Sequence, residues 1–411
     1  MARTLYICYF GIRQPLVQTQ VIPYLLEIME SNALKVSLLT FEPDFREKWT
    51  PEQVEAAKTK LAEMGIEWHC LPYHKRFSAI ATAYDIFRGA WFIRAQIREN
   101  DLDILHGRVH VPALMGALAR KFSKRKPKLL FDIRGFFPEE YTDAGVWPEN
   151  GWLYRSAKRV ERWLMKEADG FVVLTERARE ILFPESKETG FDKRGRPVEV
   201  IPCCVDLNKF AIADESSRAG MRQKLNVEDR FVIVYVGSFG GWYMTEEMMA
   251  LFAAARDYYP RTFALILTPR DKEKTLEKIR AIGFDDSDCV VNTVSPEEIS
   301  GYLNASDCAV SFIKACYSKQ SSSPTKIAEY LACGLPIIAN RGVGDVDKLI
   351  EDNNVGVMVD DFTRESYLKA ISGIKELGAV AEKCRQTARR EFDLEKVGGE
   401  RYRSLYTKLL K

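Results

Sequence analysis

Residues 309–339 read AVSFIKACYSKQSSSPTKIAEYLACGLPIIA. They open on one short apolar run, Ala309–Ile313, and close on another, Leu335–Ala339. Between the runs, Ser323 followed by Pro324 marks a helix start, a hydroxyl cap with proline at the first helical position. Gly334-Leu335-Pro336 marks the stop. Strand, helix and strand with no hairpin signal between them define a parallel crossover. In open sheets of this kind ligands sit beyond the carboxyl ends of the strands.

The N-terminus of that helix gathers backbone N–H groups, the positive end of the dipole, two hydroxyls (Ser323, Thr325) and the Lys326 ammonium. It reads as an anion site. Ile327 and Leu331 are expected to face the core. Glu329 lies four residues after Thr325 and three after Lys326, so all three can share one face. A phosphate at the helix start would leave a carboxylate one turn deeper for a ribose diol. An ordinary capped helix with a Lys/Glu surface pair fits the same spacing. A second glycine turn, Val236-Gly237-Ser238-Phe239-Gly240-Gly241-Trp242, follows an apolar run and lets backbone approach an anion. Neither GxGxxG nor GxxxxGK[ST] occurs, so dinucleotide and P-loop sites have no support.

The strand–helix alternation runs through the whole chain. Leu5–Phe10, Lys35–Phe41, Ile66–Leu71, Asp103–His106, Leu129–Ile133 and Phe171–Leu174 read as strands, with helical stretches at Leu16–Glu30, Pro51–Met64, Ala79–Glu99, Pro112–Phe122 and Leu153–Lys166. The pattern restarts at Phe231–Val236, Phe263–Thr268, Cys289–Val291, Ala309–Ile313, Leu335–Ala339 and Gly356–Val359. Two doubly wound α/β domains are expected, at 1–205 and 225–385, with a C-terminal helix over 386–411 packing back towards the first. Tyr402, Leu405, Tyr406 and Leu409 would be that helix's docking face.

The chain has 411 residues, 60 basic and 58 acidic, for a net charge of +2. That balance argues against a nucleic-acid binder. No apolar run is long enough to span a membrane. The start lacks a signal-peptide pattern. Nine cysteines, without a CxxC pair, point to a reducing, cytoplasmic setting. His106 and His110 are spaced like a zinc pair, but Gly107 stands where HExxH needs Glu, so no metal site is expected. His106, Arg108 and His110 remain candidates to contact a bound ligand, or ordinary loop residues. From Tyr73 to Lys128 there are twelve Lys/Arg against four Asp/Glu. Within that stretch Ile80, Tyr84, Phe87, Trp91 and Ile97 recur at helical spacing with Arg88, Arg94 and Arg98 interleaved. That pattern fits a helix lying on an anionic membrane surface, at the inner face of the cell membrane. It fits equally a core-facing stripe with a solvated back.

The segment SPTKIAEYLACGLPII, with Asn340-Arg341-Gly342-Val343-Gly344-Asp345 behind it, resembles the donor-binding region of retaining GT-B glycosyltransferases of family 4 (group 1). The opening Tyr9-Phe10-Gly11-Ile12-Arg13-Gln14-Pro15 is similar to the first loop of a bacterial surface-polysaccharide subgroup. DILHGRVHVPAL (103–114), FDIRGFFPEE (131–140), VVLTERA (172–178), VIPCCVDLNKF (200–210) and YVGSFGGWYM (235–244) extend the resemblance. It implies a GT-B fold of two Rossmann-like domains facing a cleft, the first for the acceptor and the second for a nucleotide-diphospho-sugar.

The resemblance further implies that Glu329 holds the ribose, and that the amides of Ser323, Thr325 and Lys326 hold the diphosphate together with the Gly237, Ser238 and Gly240 turn. Gly11 would approach the same phosphates, and His106, Arg108 and His110 would be the candidates for contact with acceptor or donor. The expected reaction retains anomeric configuration, requires no metal or other cofactor, and passes a hexose, UDP-linked by default, to a lipid-linked or growing glycan of a lipopolysaccharide or capsule. Three positions depart from the family. Ser321 replaces the usual Glu eight residues before Glu329. Ser238 and Trp242 stand where an Arg and a Lys usually follow the strand, leaving Lys326 to supply charge. Arg134 replaces a common His, so Arg134 is expected nearest the transferring sugar, with Asp132 orienting it; these two and Lys326 are the catalytic candidates. The departures keep two alternatives open: a catalytically silent GT-B subunit that binds a partner or glycan, and a nucleotide-sugar epimerase.

Overall fold

A computed structural model describes residues 1–30, 34–74 and 78–411. Lys75 and Arg76 of the basic stretch lie outside the described residues. The chain divides into two units, Met1–Pro202 with Leu394–Lys411, and Cys203–Asp393. The division therefore falls at 202/203, ahead of the polar stretch 206–229, whose helix Glu215–Lys224 belongs to the second unit. Residues 386–393, expected with the C-terminal helix, stay in the second unit at the end of the helix Ala381–Phe392.

The first unit carries β1 (Ala2–Ile7), β2 (Leu34–Pro43), β3 (Ile66–Tyr73), β4 (Ile104–Arg108), β5 (Lys128–Ile133), β6 (Gly170–Val173) and β7 (Val198–Val200). All pair in parallel, in the order β3-β2-β1-β4-β5-β6-β7. β1 ends earlier than its apolar run, because Tyr9 leaves the sheet to pack edge-on against Phe41 and Tyr73. The expected helix over 16–30 is broken into Pro15–Gln20 and Ile22–Met29. Pro23 has no N–H to continue the first segment's ladder. Two helices matter below: α1 (Ser78–Asn100) and α2 (His110–Lys121).

The second unit repeats the topology with β8 (Phe231–Val236), β9 (Thr262–Leu267), β10 (Cys289–Asn292), β11 (Cys308–Ser311), β12 (Ile337–Asn340) and β13 (Gly356–Val359), in the order β10-β9-β8-β11-β12-β13. Successive residues of a strand point to opposite faces, so each central strand feeds two cores. Val232, Val234, Leu265 and Ile337 pack on one side with Ile327 and Leu331 of α3 (Thr325–Ala332). Ile233, Tyr235, Ile266 and Ile338 pack on the other with Met248, Phe252 and Ile371. Strands buried on both faces read as continuous apolar runs.

In both units the strand order reverses beside the first strand, at β1/β4 and at β8/β11. A crevice at the carboxyl ends of the strands is expected at each of these switch points. The chain's last helix, α4 (Glu400–Leu410), buries Tyr402, Leu405, Tyr406 and Leu409 within the first unit.

Candidate functional site

In the second unit the loops after β8 and β11 are joined. The Lys314 N–H donates to the Trp242 carbonyl and the Met244 N–H to that of Phe312, while Tyr243 bridges both Gly240 and Ile313. The 3₁₀ turn Tyr317–Ser321 then leads into α3. The Tyr330 hydroxyl accepts a hydrogen bond from Val236 N–H at 2.9 Å, fixing α3 against the end of β8.

Lys326 stands at the centre of this arrangement. It is only 6 % exposed, and its ammonium has no hydrogen-bond partner. Nζ lies 4.3 Å from the centroid of the Tyr235 ring and 4.1 Å from that of Tyr243. Ring quadrupoles attract the cation but do not replace its lost hydration. Burial accordingly pushes the ammonium down to about 7, against the attraction of Glu329. Burial also pushes the half-buried Glu329 carboxyl up to about 7, against Lys326. Lys319, which no local sequence pattern marks, lies over the Trp242 ring at 4.0 Å. Two buried cations thus come from the segment 319–326 rather than from the turn after β8.

The helix start differs from the sequence expectation. Pro324 occupies the N-cap position with extended backbone and makes no side-chain cap. Ser323 Oγ instead accepts from the Cys203 N–H at 3.0 Å, so this hydroxyl ties the helix start to the beginning of the second unit. The first intrahelical partner is the Pro324 carbonyl, taken by Ile327 N–H. The amides of Thr325 and Lys326 precede it and have no intrahelical acceptor.

The glycine turn also differs. Gly237 N–H is bonded to the Leu267 carbonyl and Gly240 N–H to Thr245 Oγ1, so these two amides are already committed. Ser238 contributes its carbonyl to the Tyr235 hydroxyl at 2.6 Å. What Gly237 supplies is space. At φ +142° a Cβ there would sit 2.9 Å from Lys326 Nζ. Ser321 is buried and donates to the Ser318 carbonyl at 2.7 Å, inside its own turn.

The first unit holds a separate buried network at its switch point. Asp132 Oδ2 accepts from Arg134 Nε at 3.0 Å and from the Tyr402 hydroxyl at 3.1 Å, and faces His106 Nε2 at 3.2 Å. Tyr402 in turn accepts from Arg134 Nη2 at 2.9 Å. The Tyr406 hydroxyl meets His106 Nδ1 at 2.8 Å. Burial alone would raise Asp132, but Arg134, His106 and Arg108 hold its carboxyl well below the usual range. Burial keeps His106 below its ordinary value.

Asp132 is fully buried, with Oδ2 shared among Arg134, Tyr402 and His106 and Oδ1 without a hydrogen-bond partner. Arg134 keeps one unpaired buried nitrogen, Nη1. His106 and Arg108 are also buried, Arg108 donating to the Tyr6 hydroxyl and the Gln20 carbonyl. His110 pairs through Nε2 with Glu161 at 3.0 Å, so the two histidines turn to different partners. In this unit Gly11 answers a packing demand. A Cβ there would stand 2.7 Å from Glu42 Oε2, the carboxylate that accepts from Ile12 N–H. The tyrosines of α4 were the part of this network that sequence reading assigned only to docking.

Two doubly wound parallel-sheet units, each with a polar centre at its switch point, are the GT-B architecture. Residues 217–391 match the family of glycosyl transferases group 1, and residues 42–209 match glycosyltransferase family 4. The two stretches together take in most of the chain, and with the paired parallel sheets they support a glycosyltransferase of GT-B type. It is similar to the alpha-D-kanosaminyltransferase of Streptomyces kanamyceticus, 25 % identical over 240 residues covering 56 % of this chain and 58 % of that protein. It is equally similar to the chitobiosyldiphosphodolichol beta-mannosyltransferase of Debaryomyces hansenii, 25 % identical over 267 residues, 60 % of this chain and 54 % of that one. The chain thus spans little more than half the length of these curated relatives. In fold it is similar to Anabaena Alr3699/HepE in complex with UDP and glucose, with a TM-score of 0.69 at 14 % identity, over 99 % of this chain and 100 % of that one.

Proposed function

We propose that the chain is a retaining glycosyltransferase that takes a hexose from a UDP-linked donor and passes it to a lipid-linked or growing glycan in surface-polysaccharide assembly. The observation that carries the reading is Lys326: a buried cation without a hydrogen-bond partner, at a helix N-terminus beside a switch point. A buried charge in that state is costly unless a partner arrives, and a diphosphate is such a partner. The relatives' names, kanosaminyl- and mannosyltransferase, fit a hexose-type sugar, and UDP in the Anabaena structure fits the base.

In this reading the Thr325 and Lys326 amides and the Lys326 ammonium bind the diphosphate, and Glu329 accepts from the ribose hydroxyls. The bond between the anomeric carbon and the diphosphate oxygen breaks while an acceptor hydroxyl attacks from the same face. The developing negative charge falls on the leaving diphosphate, where the helix dipole and Lys326 stabilise it. These groups supply the positive charge without calling on a metal. Arg134, held by Asp132 and Tyr402, is the first unit's group assigned to the sugar or acceptor.

The test is a thermal shift with UDP, GDP, ADP and CMP without added metal. A rise with UDP that vanishes in Lys326→Ala supports the reading; no rise with any of them removes it. One observation favours a second reading, a silent subunit: at Ser321, where the family pattern has a carboxylate, the hydroxyl donates inside its own turn. Nucleotide binding with neither transfer nor donor hydrolysis would select it.

A further inference from the structure

α1 has two apolar faces. Ala81, Asp85, Gly89, Ile93 and Ile97 turn inward and are buried. Ile80, Tyr84, Phe87 and Trp91, spaced by four, three and four residues, turn outward along a second line. Phe87 is 67 % exposed and Trp91 64 %, and Phe122 at the end of α2, 66 % exposed, joins them. Ile97, counted with this stripe on sequence spacing, is in the core.

A groove of about 420 Å³ runs between α1 and α2, lined by Ile86, Phe87, Trp91, Leu118 and Phe122. Beside it lies a cleft of about 480 Å³ lined by Arg94, Arg98, Lys124 and Arg125. Trp91, Arg94 and Phe122 border both. Arg125 is paired with Asp101 and Asp103, and Arg98 with Glu99, so among the described residues Arg94 and Lys124 carry the uncompensated charge of the cleft. Lys121 and Lys126 stand exposed next to it.

We infer that this face seats the first unit in an anionic phospholipid leaflet, acyl chain in the α1/α2 groove and phosphate in the basic cleft. Helices of this kind lie in the interfacial plane, the aromatic side buried to the depth of the headgroup boundary. Trp and Tyr favour that depth, and Arg side chains reach from an apolar stem to the phosphates. A second copy of the chain is a poorer occupant. A two-fold contact would set Arg94, Lys124 and their neighbours against themselves. The inference does not rest on the donor reading, since seating needs no nucleotide.

The experiment is cosedimentation of the full chain with vesicles of phosphatidylcholine alone and of equal parts phosphatidylcholine and phosphatidylglycerol, without nucleotide. Wild type is expected to sediment with the mixed vesicles and not with phosphatidylcholine. F87S/W91S should lose most of that binding while melting like wild type, because both side chains are already in water. R94E/K124E should weaken it by at least roughly fivefold for each charge removed, the ratio that about 1 kcal/mol per basic residue produces. Failure of wild type to bind, or equal binding by the variants, would overturn the inference. So would a lipid-free dimer that F87S/W91S dissolves, which would assign the face to a second copy. Release by inorganic phosphate that sodium chloride of equal ionic strength does not produce would likewise overturn it, by giving the cleft to the free anion.

Discussion

Lys326 Nζ lies 4.1 Å from the centre of the Tyr243 ring, and Tyr243 itself is bridged to Ile313 in the loop just after β11. The cation is therefore held by the same contact that joins the two loops of the switch point. Aromatic faces stand where water would otherwise be, and they keep the amino group beside the first amides of α3. The arrangement has the character of a preorganised anion site, in which the amino group is positioned before the ligand arrives.

Replacing Lys326 by Met keeps the volume and removes the unpaired charge. The unliganded protein should become more stable, by about 1–4 kcal/mol, as when buried charges give way to apolar groups of similar size. The same variant should lose its response to UDP. Urea unfolding with and without UDP reads both effects; a Met variant that is less stable and still responds would place the ammonium elsewhere.

The pH dependence follows from the two shifted groups. Lys326 titrates near 7 in the folded chain, against an ordinary 10.5. Between those values the unfolded chain binds more protons, so stability rises with pH. Glu329 titrates near 7 against an ordinary 4.5. Its contribution is complete below 4.5 and is lost as pH rises to 7. Unfolding measured from pH 5 to 10 should show a minimum near neutrality from this pair, and Lys326→Met should flatten the alkaline limb.

Gly237→Ala places a Cβ 2.9 Å from Lys326 Nζ at a φ that L-residues rarely adopt. Strain of that kind is worth about 1–3 kcal/mol. The expected outcome is a lowered melting temperature together with weaker UDP binding, since the ammonium must move. Unchanged affinity in a folded variant would separate the turn from the site.

Glu329→Gln should weaken UDP by about tenfold or more, the usual worth of a charged hydrogen bond, and leave inorganic pyrophosphate unaffected. Calorimetry with both ligands decides it. Equal losses would mean that Glu329 acts by holding Lys326 and not by meeting a ribose.

Tyr402→Phe removes the hydroxyl shared by Arg134 and Asp132. Arg134 already has Nη1 unpaired, so a second orphaned nitrogen should destabilise the first unit by about 1–3 kcal/mol. Denaturant unfolding checks the figure; no change would mean that solvent reaches the guanidinium.

Sequence legibility followed burial. Phe231–Val236 was readable to the residue because burial on both faces leaves only apolar positions. β7, only three residues long, was too short to stand out as a strand so close to the domain boundary expected at 205. Ser323 was misread as a cap because its true partner, the Cys203 N–H, lies 120 residues away. Local pattern could place Lys326 at a helix start, but the aromatic box around it needs Tyr235 and Tyr243 from another loop. Lys319 had no local signal at all. On α1, period alone could not tell the inward line from the outward one, since both are apolar.

The most direct measurement is titration calorimetry of pyrophosphate at pH 8 in two buffers of different ionisation enthalpy, on wild type and Lys326→Met. At that pH the Lys326 ammonium is largely deprotonated in the unliganded chain, and an arriving diphosphate should restore its proton. The account predicts more proton uptake by wild type than by the variant, together with tighter binding. Identical proton counts and affinities in the two proteins would contradict it.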